Sequence, residues 1–397
     1  MTNNQFSIYF LALLSAGMML SSCNRDDDDD KRQEDFDVKI EALALTPKWN
    51  NYLQAATEEL YEDCVKLYAA WAGPNALSVD ETAIVGGAGF FTQLNAPNGY
   101  AALVKDPAAS DFHSATAAIE QTLVQGSIDI AGEVGEQKIG GPNALAKEGK
   151  NTQAVLEVES WYSFNSLDDY GNNIISIRNS YFGGLGVTSA QSNSLSAFVA
   201  GKDADLNSRL VAAIAAAWNA IQTMDKPFRS NLTGSKVNAA ITACADLAEI
   251  FEGELKPFVQ SNADETAYTA ILQNYADNIV VATYADMKNK AEILRDAVRA
   301  YVIAPTQNNL NTATEAWRAT RIPWEQSESF LYGPADLLGL DPSLDSWPLD
   351  QSDIYTILSD NKQSVSEIRN EIGDEAVRGF HTIELLLFKS GNPRVVD

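Results

Sequence analysis

Apolar residues recur at helical spacing along most of this chain, and this period limits the fold more than any other feature. Between residues 40 and 71 they fall three or four positions apart, and the run stops at Gly73-Pro74. Alternating apolar and polar runs, which half-buried strands show, are missing. The spacing predicts an all-α chain with helices over 40–71, 115–139, 153–170, 205–224, 235–255, 264–303, 308–321, 324–331, 350–372 and 375–388.

Helices of this length, joined by modest loops, predict antiparallel bundles. The chain has 397 residues, which is too many for one small core. The polar stretch 261–264, shortly after Pro257, is the best boundary between them. We therefore predict one helical-bundle domain with long loops over 36–260 and a second over 264–397.

The first 22 residues are predicted to be a signal peptide (1–22) rather than part of the fold. Residues 8–20 form an apolar run that is too short to cross a membrane. The run ends in Leu20-Ser21-Ser22-Cys23, which resembles the lipobox of bacterial lipoproteins, and Cys23 would carry the lipid that anchors the protein to the outer membrane. No Lys or Arg precedes Arg25, so an ordinary signal peptide without a lipid remains the alternative.

Residues 23–35 are predicted to be an acidic tether. Aspartate fills every position from 26 to 30, and a block of like charges stays extended and solvated. An acidic cluster behind a lipidated Cys also resembles the surface-export signal of lipoproteins in the Bacteroidetes. The cell surface and the periplasmic face of the membrane both stay open.

The formal net charge of −26 argues against nucleic acid or an anionic membrane surface as a partner. Cys64 and Cys244 both lie in helical stretches. We predict two buried thiols there, with a disulfide between them as the alternative in an oxidising compartment.

The candidate chemistry centres on His381, one of only two histidines in the chain. In the sequence Gly379-Phe380-His381-Thr382-Ile383-Glu384, His381 and Glu384 are three positions apart and share a helix face. An imidazole and a carboxylate at this spacing can hold one metal ion, as they do inside metal-binding bundles. The alternative is a hydrogen-bonded pair in which Glu384 orients the imidazole.

A second polar segment covers residues 321–334, RIPWEQSESFLYGP. Its early proline favours a helix start and its final Gly-Pro pair favours a helix end. Glu325 and Glu328 would share one face, with Arg321 one turn before Glu325 if the helix continues through. Taken alone, the segment is a short solvated helix that Trp324 anchors in the core.

Together these two segments resemble the imelysin-like family, helical bacterial proteins tied to iron uptake. Both W-E-Q-S-E-x-F-L-x-G-P and G-x-H-x-x-E match motifs of that family. Residues 126–139 and 163–183 are similar to two further blocks, with Gln137-Lys138 where the family favours Arg. The matching positions in the second block are Asp169, Asn173, Asn179, Tyr181 and Gly183.

The order of these blocks departs from the family, because the two segments that usually come first come last here. We interpret this as a circular permutation that exchanges the two bundles in chain order, which nearby termini make tolerable. The resemblance implies two four-helix bundles packed side by side with a site between them. The implied site residues are His381, Glu384, Trp324 and Glu325 or Glu328 from one bundle, and Asp169, Asn173, Arg178, Asn179 and Tyr181 from the other.

The family takes its name from a metallopeptidase activity, which is the second hypothesis. A zinc peptidase needs three protein ligands and a general base. The H-E-x-x-H motif is absent, and only His113 could add a second histidine to an H-x-x-E site. His113 suits the surface start of a helix better than a metal site, but a carboxylate could complete the site instead.

Binding is the preferred hypothesis. Carboxylates and imidazole suit iron or another divalent or trivalent metal, and the ligand could also be an iron complex. A monomeric lipoprotein would capture it and pass it to an iron transporter. Arg321 or Arg178 would hold the carboxylates by bidentate pairing, and Trp324 and Tyr181 would wall the pocket. A surface protein-interaction module without metal is the third hypothesis.

Overall fold

The computed structural model describes residues 36–396. The predicted signal peptide, Cys23 and the acidic tether lie outside the described residues, so the lipid anchor stays a prediction. No helix in the described range is long and apolar enough to cross a bilayer. The strands found there are β1 (Phe388–Lys389) and β2 (Asn392–Pro393), which form one antiparallel hairpin. The all-α class is therefore confirmed.

Eight main helices build the described part of the chain. They are α1 (Pro47–Ala72), α2 (115–147), α3 (Ser166–Phe182), α4 (Ala204–Gln222), α5 (235–261), α6 (265–303), α7 (Gln307–Glu325) and α8 (Gly379–Leu387). Three of them are continuous helices that contain π-helical turns, at Glu120–Val124 and Val134–Ile139 in α2, Phe251–Leu255 in α5 and Ala276–Val281 in α6.

Shorter helices fill the connections between these eight. The α-helical ones cover 36–41, Val79–Val85, Ala88–Gln93, Tyr100–Lys105, Asn151–Leu156, Leu195–Lys202, Pro334–Leu337, Leu340–Asp345, Gln351–Ser359 and Val365–Arg369. Single 3-10 turns lie at Pro74–Ala76, Pro107–Ala109, Phe228–Ser230, Glu328–Phe330 and Glu375–Val377.

The main helices pack as two four-helix bundles that share one continuous apolar core. Helices α2, α3, α4 and α5 form one bundle, and α1, α6, α7 and α8 form the other. Helix α1 thus completes the bundle that contains the C-terminal helices, although it lies within the predicted domain 36–260. The division of the chain at 261–264 stays a prediction.

Two of the expected helix boundaries that were wrong concern site residues. The expected helix start at Pro323 does not exist, because α7 runs through Pro323 to Glu325. Pro323 has no N–H to donate to the carbonyl of Ala319, so α7 lacks one backbone bond there, and the helix ends two residues later. The expected helix 153–170 is broken at 157–165, where Ser160 and Phe164 have positive φ angles of 53° and 61°.

The remaining boundaries differ at helix ends. Helix α1 begins at Pro47, with Thr46 as its N-cap, and not at residue 40. Helices α2 and α5 continue past their expected ends, and the expected helix 350–372 is two short helices. Cys64 and Cys244 are free and buried, which confirms the prediction of two thiols.

Helix α2 approaches the turn Glu328–Phe330 very closely. A Cβ atom on Gly126 would lie 2.0 Å from the carbonyl oxygen of Ser329, so no side chain fits between them. Further along the same helix, the ammonium nitrogen of Lys138 lies 3.4 Å from Glu328.

Candidate functional site

His381 lies in the first turn of α8 and is completely buried. Its Nδ1 is 3.0 Å from Oε2 of Glu384, one turn further along the helix. The other oxygen of Glu384 accepts hydrogen bonds from the backbone N–H and the hydroxyl of Ser163, at 2.7 and 2.8 Å. Ser163 therefore fixes the carboxylate, and the carboxylate orients the imidazole.

The second ring nitrogen of His381 faces two carboxylates that the sequence analysis did not single out. Nε2 lies 3.1 Å from Oδ1 of Asp345 and 3.5 Å from Oε1 of Glu159. Asp345 ends the helix Leu340–Asp345, and Glu159 belongs to the loop 157–165. Nε2 makes no aligned hydrogen bond with a described residue. Three possible metal ligands, one atom each from His381, Asp345 and Glu159, thus lie within 4.8 Å of one another.

Arg321 is a buried cation at the centre of these acids, with no exposed side-chain surface. Its guanidinium pairs with Glu325, one turn on in α7, and with Asp345. It also lies 3.5 Å from Glu159 and from Asp169. The expected bidentate pairing of Arg321 is therefore not seen, because four separate acids share the guanidinium and each contacts one of its nitrogens.

Trp324 is completely buried and donates its indole N–H to Oδ2 of Asp345 at 2.5 Å. Its ring packs on Phe380, with 6.1 Å between the ring centroids. Trp324 therefore holds a site carboxylate in place from within the core and does not wall an open pocket.

Helix α3 contributes its polar residues to this cluster from the other bundle. Asp169 accepts hydrogen bonds from Ser160 at 2.5 Å and from Asn165 at 2.6 Å. Asn173 donates to Oε2 of Glu325, also at 2.5 Å. Further along, Asn179 lies 3.4 Å from Gln326, the residue that follows α7. The bundles therefore meet through polar contacts at this level.

Lys138 of α2 joins the cluster from the side nearest solvent. Its ammonium nitrogen lies 3.3 Å from Glu159, 3.4 Å from Glu328 and 3.8 Å from Glu133. The Lys138 side chain is 11% exposed and that of Glu133 is 43% exposed. The polar cluster thus reaches from buried His381 to the protein surface.

Burial raises the pKa values of the carboxyl groups in this cluster, whereas the nearby cations lower them. Burial raises the pKa of Glu325 and of Glu328 well above the ordinary value, and Arg321 and Lys138 offset this only in part. Burial also raises the pKa of Asp169 to about 6. For Glu159 burial acts the same way, but Lys138 and His381 outweigh it and lower the pKa to about 2.

The carboxylates around His381 favour the protonated form of its imidazole. Burial lowers the pKa of the imidazole, but Asp345, Glu159 and Glu384 outweigh burial and raise this pKa well above the ordinary value.

Two predicted site residues do not join the cluster. Tyr181 donates to Asn207 at 2.9 Å and packs against Phe251 in the core. Arg178 lines a separate, mainly apolar cavity of about 240 Å³ beside Trp218, and it pairs with no described carboxylate. They lie on other faces of α3, since one helix cannot aim positions 173, 178 and 181 at a single point.

The sequence analysis missed Glu159 and Asp345 because nothing local distinguishes them from other acids. Lys138 did carry a signal, since it lies in a block that matches a family motif at a position where Arg is usual. His113, the other histidine, is exposed on a loop and takes no part in the site.

The structure is thus that of a two-bundle helical protein, in which one histidine and several carboxylates form a buried polar cluster where the bundles meet. The model of the imelysin family, Peptidase_M75, matches residues 25–252 and 280–395. The chain therefore belongs to the imelysin family. The predicted circular permutation stays a prediction.

The chain is similar to three further proteins. A crystal structure of an imelysin peptidase from Bacteroides ovatus is 37% identical, with a TM-score of 0.77, over 88% of this chain and 97% of that chain. Iron-regulated protein A of Synechococcus elongatus is 33% identical over 156 residues, which are 39% of this chain and 39% of that protein. A structure of a putative iron-regulated protein A precursor from Parabacteroides distasonis is 37% identical over 42% of this chain and 48% of that one, with a TM-score of 0.38.

Proposed function

We propose that this imelysin-family protein is a lipid-anchored envelope protein of iron uptake. In this proposal it binds iron, or a cation of similar chemistry, at the buried cluster around His381. The observation that carries the proposal is the convergence of His381 Nε2, Asp345 Oδ1 and Glu159 Oε1. The name of the cyanobacterial relative, an iron-regulated protein, supports iron as the cation.

The donor set fits such a cation chemically. Imidazole and carboxylates are ligands for iron, zinc and copper. Glu384 on Nδ1 is the outer carboxylate that commonly orients a ligating histidine. The carboxyl groups of the cluster outnumber its three basic side chains, Arg321, Lys138 and His381, which favours a bound cation. The carboxyl groups are those of Glu133, Glu159, Asp169, Glu325, Glu328, Asp345 and Glu384.

Arg321 contacts the same oxygens of Asp345 and Glu159 that face Nε2. These oxygens can nevertheless bind a metal ion as well. A carboxylate oxygen has two lone pairs and accepts more than one partner. Nε2 of His381 must give up its proton to accept a cation, and metal binding then releases that proton. Affinity for the cation is therefore expected to rise with pH.

Hydrolysis of peptides is the second candidate, which the peptidase label of the family and of the Bacteroides ovatus structure favours. A catalytic zinc keeps one coordination position open for water and substrate. His381 and Glu384 have no exposed surface, so a peptide chain could reach Nε2 only after the surrounding residues move. This burial supports binding over hydrolysis in the proposal.

We expect the purified protein to bind ferrous, ferric, zinc or copper ions by calorimetry, and His381→Asn to abolish binding. Glu384→Gln keeps the shape of the side chain but removes the charge that orients the imidazole, so it should weaken binding roughly 10–100-fold. His113→Asn is the matched control, because it removes the other histidine from an exposed loop, and its affinity should equal that of the wild type.

Equal metal affinity in the wild type and in folded His381→Asn would contradict this site. No binding of any of the four ions would remove the direct metal site and leave an iron complex or a protein partner as the ligand.

For the anchor, we expect cells that express the full chain to attach labelled fatty acid to it and to hold it in the membrane fraction. Cys23→Ser should lose both the label and the membrane association, because the thiol is the attachment point. Ser22→Ala keeps a small residue before the cysteine and should retain both. Labelling that persists in Cys23→Ser would contradict the anchor.

A further inference from the structure

The contacts of Lys138 differ from those of an ordinary ion pair. Charge-assisted N–H···O bonds are typically 2.7–2.9 Å long, whereas its three carboxylate contacts lie at 3.3, 3.4 and 3.8 Å. The ammonium group thus sits among three acids and is tightly bonded to none of them.

The three acids come from three separate segments. Glu133 lies on α2, Glu159 on the loop 157–165, and Glu328 on the 3-10 turn after α7. Glu159 uses Oε1 toward His381, and its Oε2 is buried without a hydrogen bond in the described structure. The carboxylate of Glu159 therefore links the position of the Lys138 ammonium to the proposed metal site.

Lys138 can leave this position more easily than Arg321 can. Arg321 has no exposed surface, while Lys138 keeps 11% of its side chain exposed and lies near Glu133 at the surface. A lysine carries its charge on a flexible four-carbon stem. Burial lowers the pKa of Lys138, but Glu159, Glu328, Glu133 and Glu325 raise it well above the ordinary value, so the group is a full cation in the free protein.

We propose that Lys138 is a tethered cation that occupies the solvent-side entrance of the cluster, and that an entering metal ion displaces its ammonium group toward Glu133 and solvent. This inference rests on the proposed metal-binding function. Lys138 is then a positioning residue, and its charge determines how tightly the metal ion binds and how readily the ion leaves. The metal ion and the ammonium group of Lys138 would both contact the carboxylate of Glu159, so they compete for its negative charge.

The test compares Lys138→Met with the wild type by calorimetry with ferrous ion and with zinc ion, and by urea unfolding without metal. Methionine keeps the length of the stem and removes the charge. We expect Lys138→Met to bind metal at least about tenfold more tightly, because a nearby like charge is gone. Its urea midpoint without metal should fall, since the three acids lose their cation.

Lys288→Met is the matched control. Lys288 is also largely buried and pairs with a carboxylate, Glu81, but its segment and partner lie outside the cluster. Its unfolding midpoint should fall while its metal affinity stays unchanged. Lys138→Gln serves as a second variant if Lys138→Met does not fold.

A wild-type protein that binds metal, with Lys138 variants that bind equally or more weakly, would overturn the displacement proposal and leave the metal site intact. Absence of binding in the wild type and in every variant would overturn the metal site and the displacement proposal together.

Discussion

Replacing Arg321 by methionine is expected to lower the free energy of unfolding by about 3–5 kcal/mol, because removal of one partner leaves buried charges uncompensated. The guanidinium has no exposed surface and contacts four acids that converge from three segments besides its own helix. These acids are Glu159, Asp169, Glu325 and Asp345. Without it, each must take up a proton or draw water into the core. Urea unfolding followed by circular dichroism measures the loss.

Arg299→Met is the control for this prediction. Arg299 pairs with Glu58 at 3.0 Å, but its side chain is 44% exposed, and such surface pairs contribute about 0–1 kcal/mol. A loss below about 1 kcal/mol for Arg321→Met, equal to that of Arg299→Met, would show that the buried network does not stabilise the fold.

Replacing Gly379 by alanine is expected to cost about 3 kcal/mol and to displace His381. Gly379 has a φ angle of +80°, where a residue with a Cβ is strained by about 1–2 kcal/mol. The added Cβ would also lie 2.4 Å from the carbonyl oxygen of Leu344, and an overpacked contact costs a further 1–3 kcal/mol or so. Leu344 precedes Asp345, so the clash separates Asp345 from the imidazole.

Two measurements check the Gly379→Ala prediction, the urea midpoint and the metal affinity, and both should fall. Gly373→Ala is the matched control, since its φ is not in the left-handed region and its Cβ would meet nothing within 4 Å. That variant should stay within about 0.5 kcal/mol of the wild type. A Gly379→Ala protein with unchanged stability and affinity would contradict this role of the motif glycine.

Local sequence patterns predicted those parts of the site that lie within one helix. His381 and Glu384 meet because residues three apart share a helix face. Arg321 and Glu325 also lie one turn apart, but only because α7 continues through Pro323, where the sequence predicted a new helix. The all-α class also followed from local periodicity alone. The family motifs added Asp169 and Asn173, which do contact the cluster from α3.

Local patterns failed where the chain changes direction. A helical period continued through 157–165, but the chain leaves the helix there and places Glu159 beside His381. The proline at 323 suggested a helix start, yet α7 tolerates it near its end. Arg178 and Tyr181 were assigned to the site by their block, and the rotation of α3 aims them elsewhere.

The sequence by itself therefore determined the helices, the His381–Glu384 spacing and the excess of acid over base. Only the tertiary structure decided which acids face Nε2, because Glu159 and Asp345 reach it from segments more than 180 residues apart. It also decided the charge of the cluster. Burial raises the pKa of Glu325, whereas packing against Lys138 and His381 lowers that of Glu159. Such shifts depend on distances between remote side chains, which no local pattern contains.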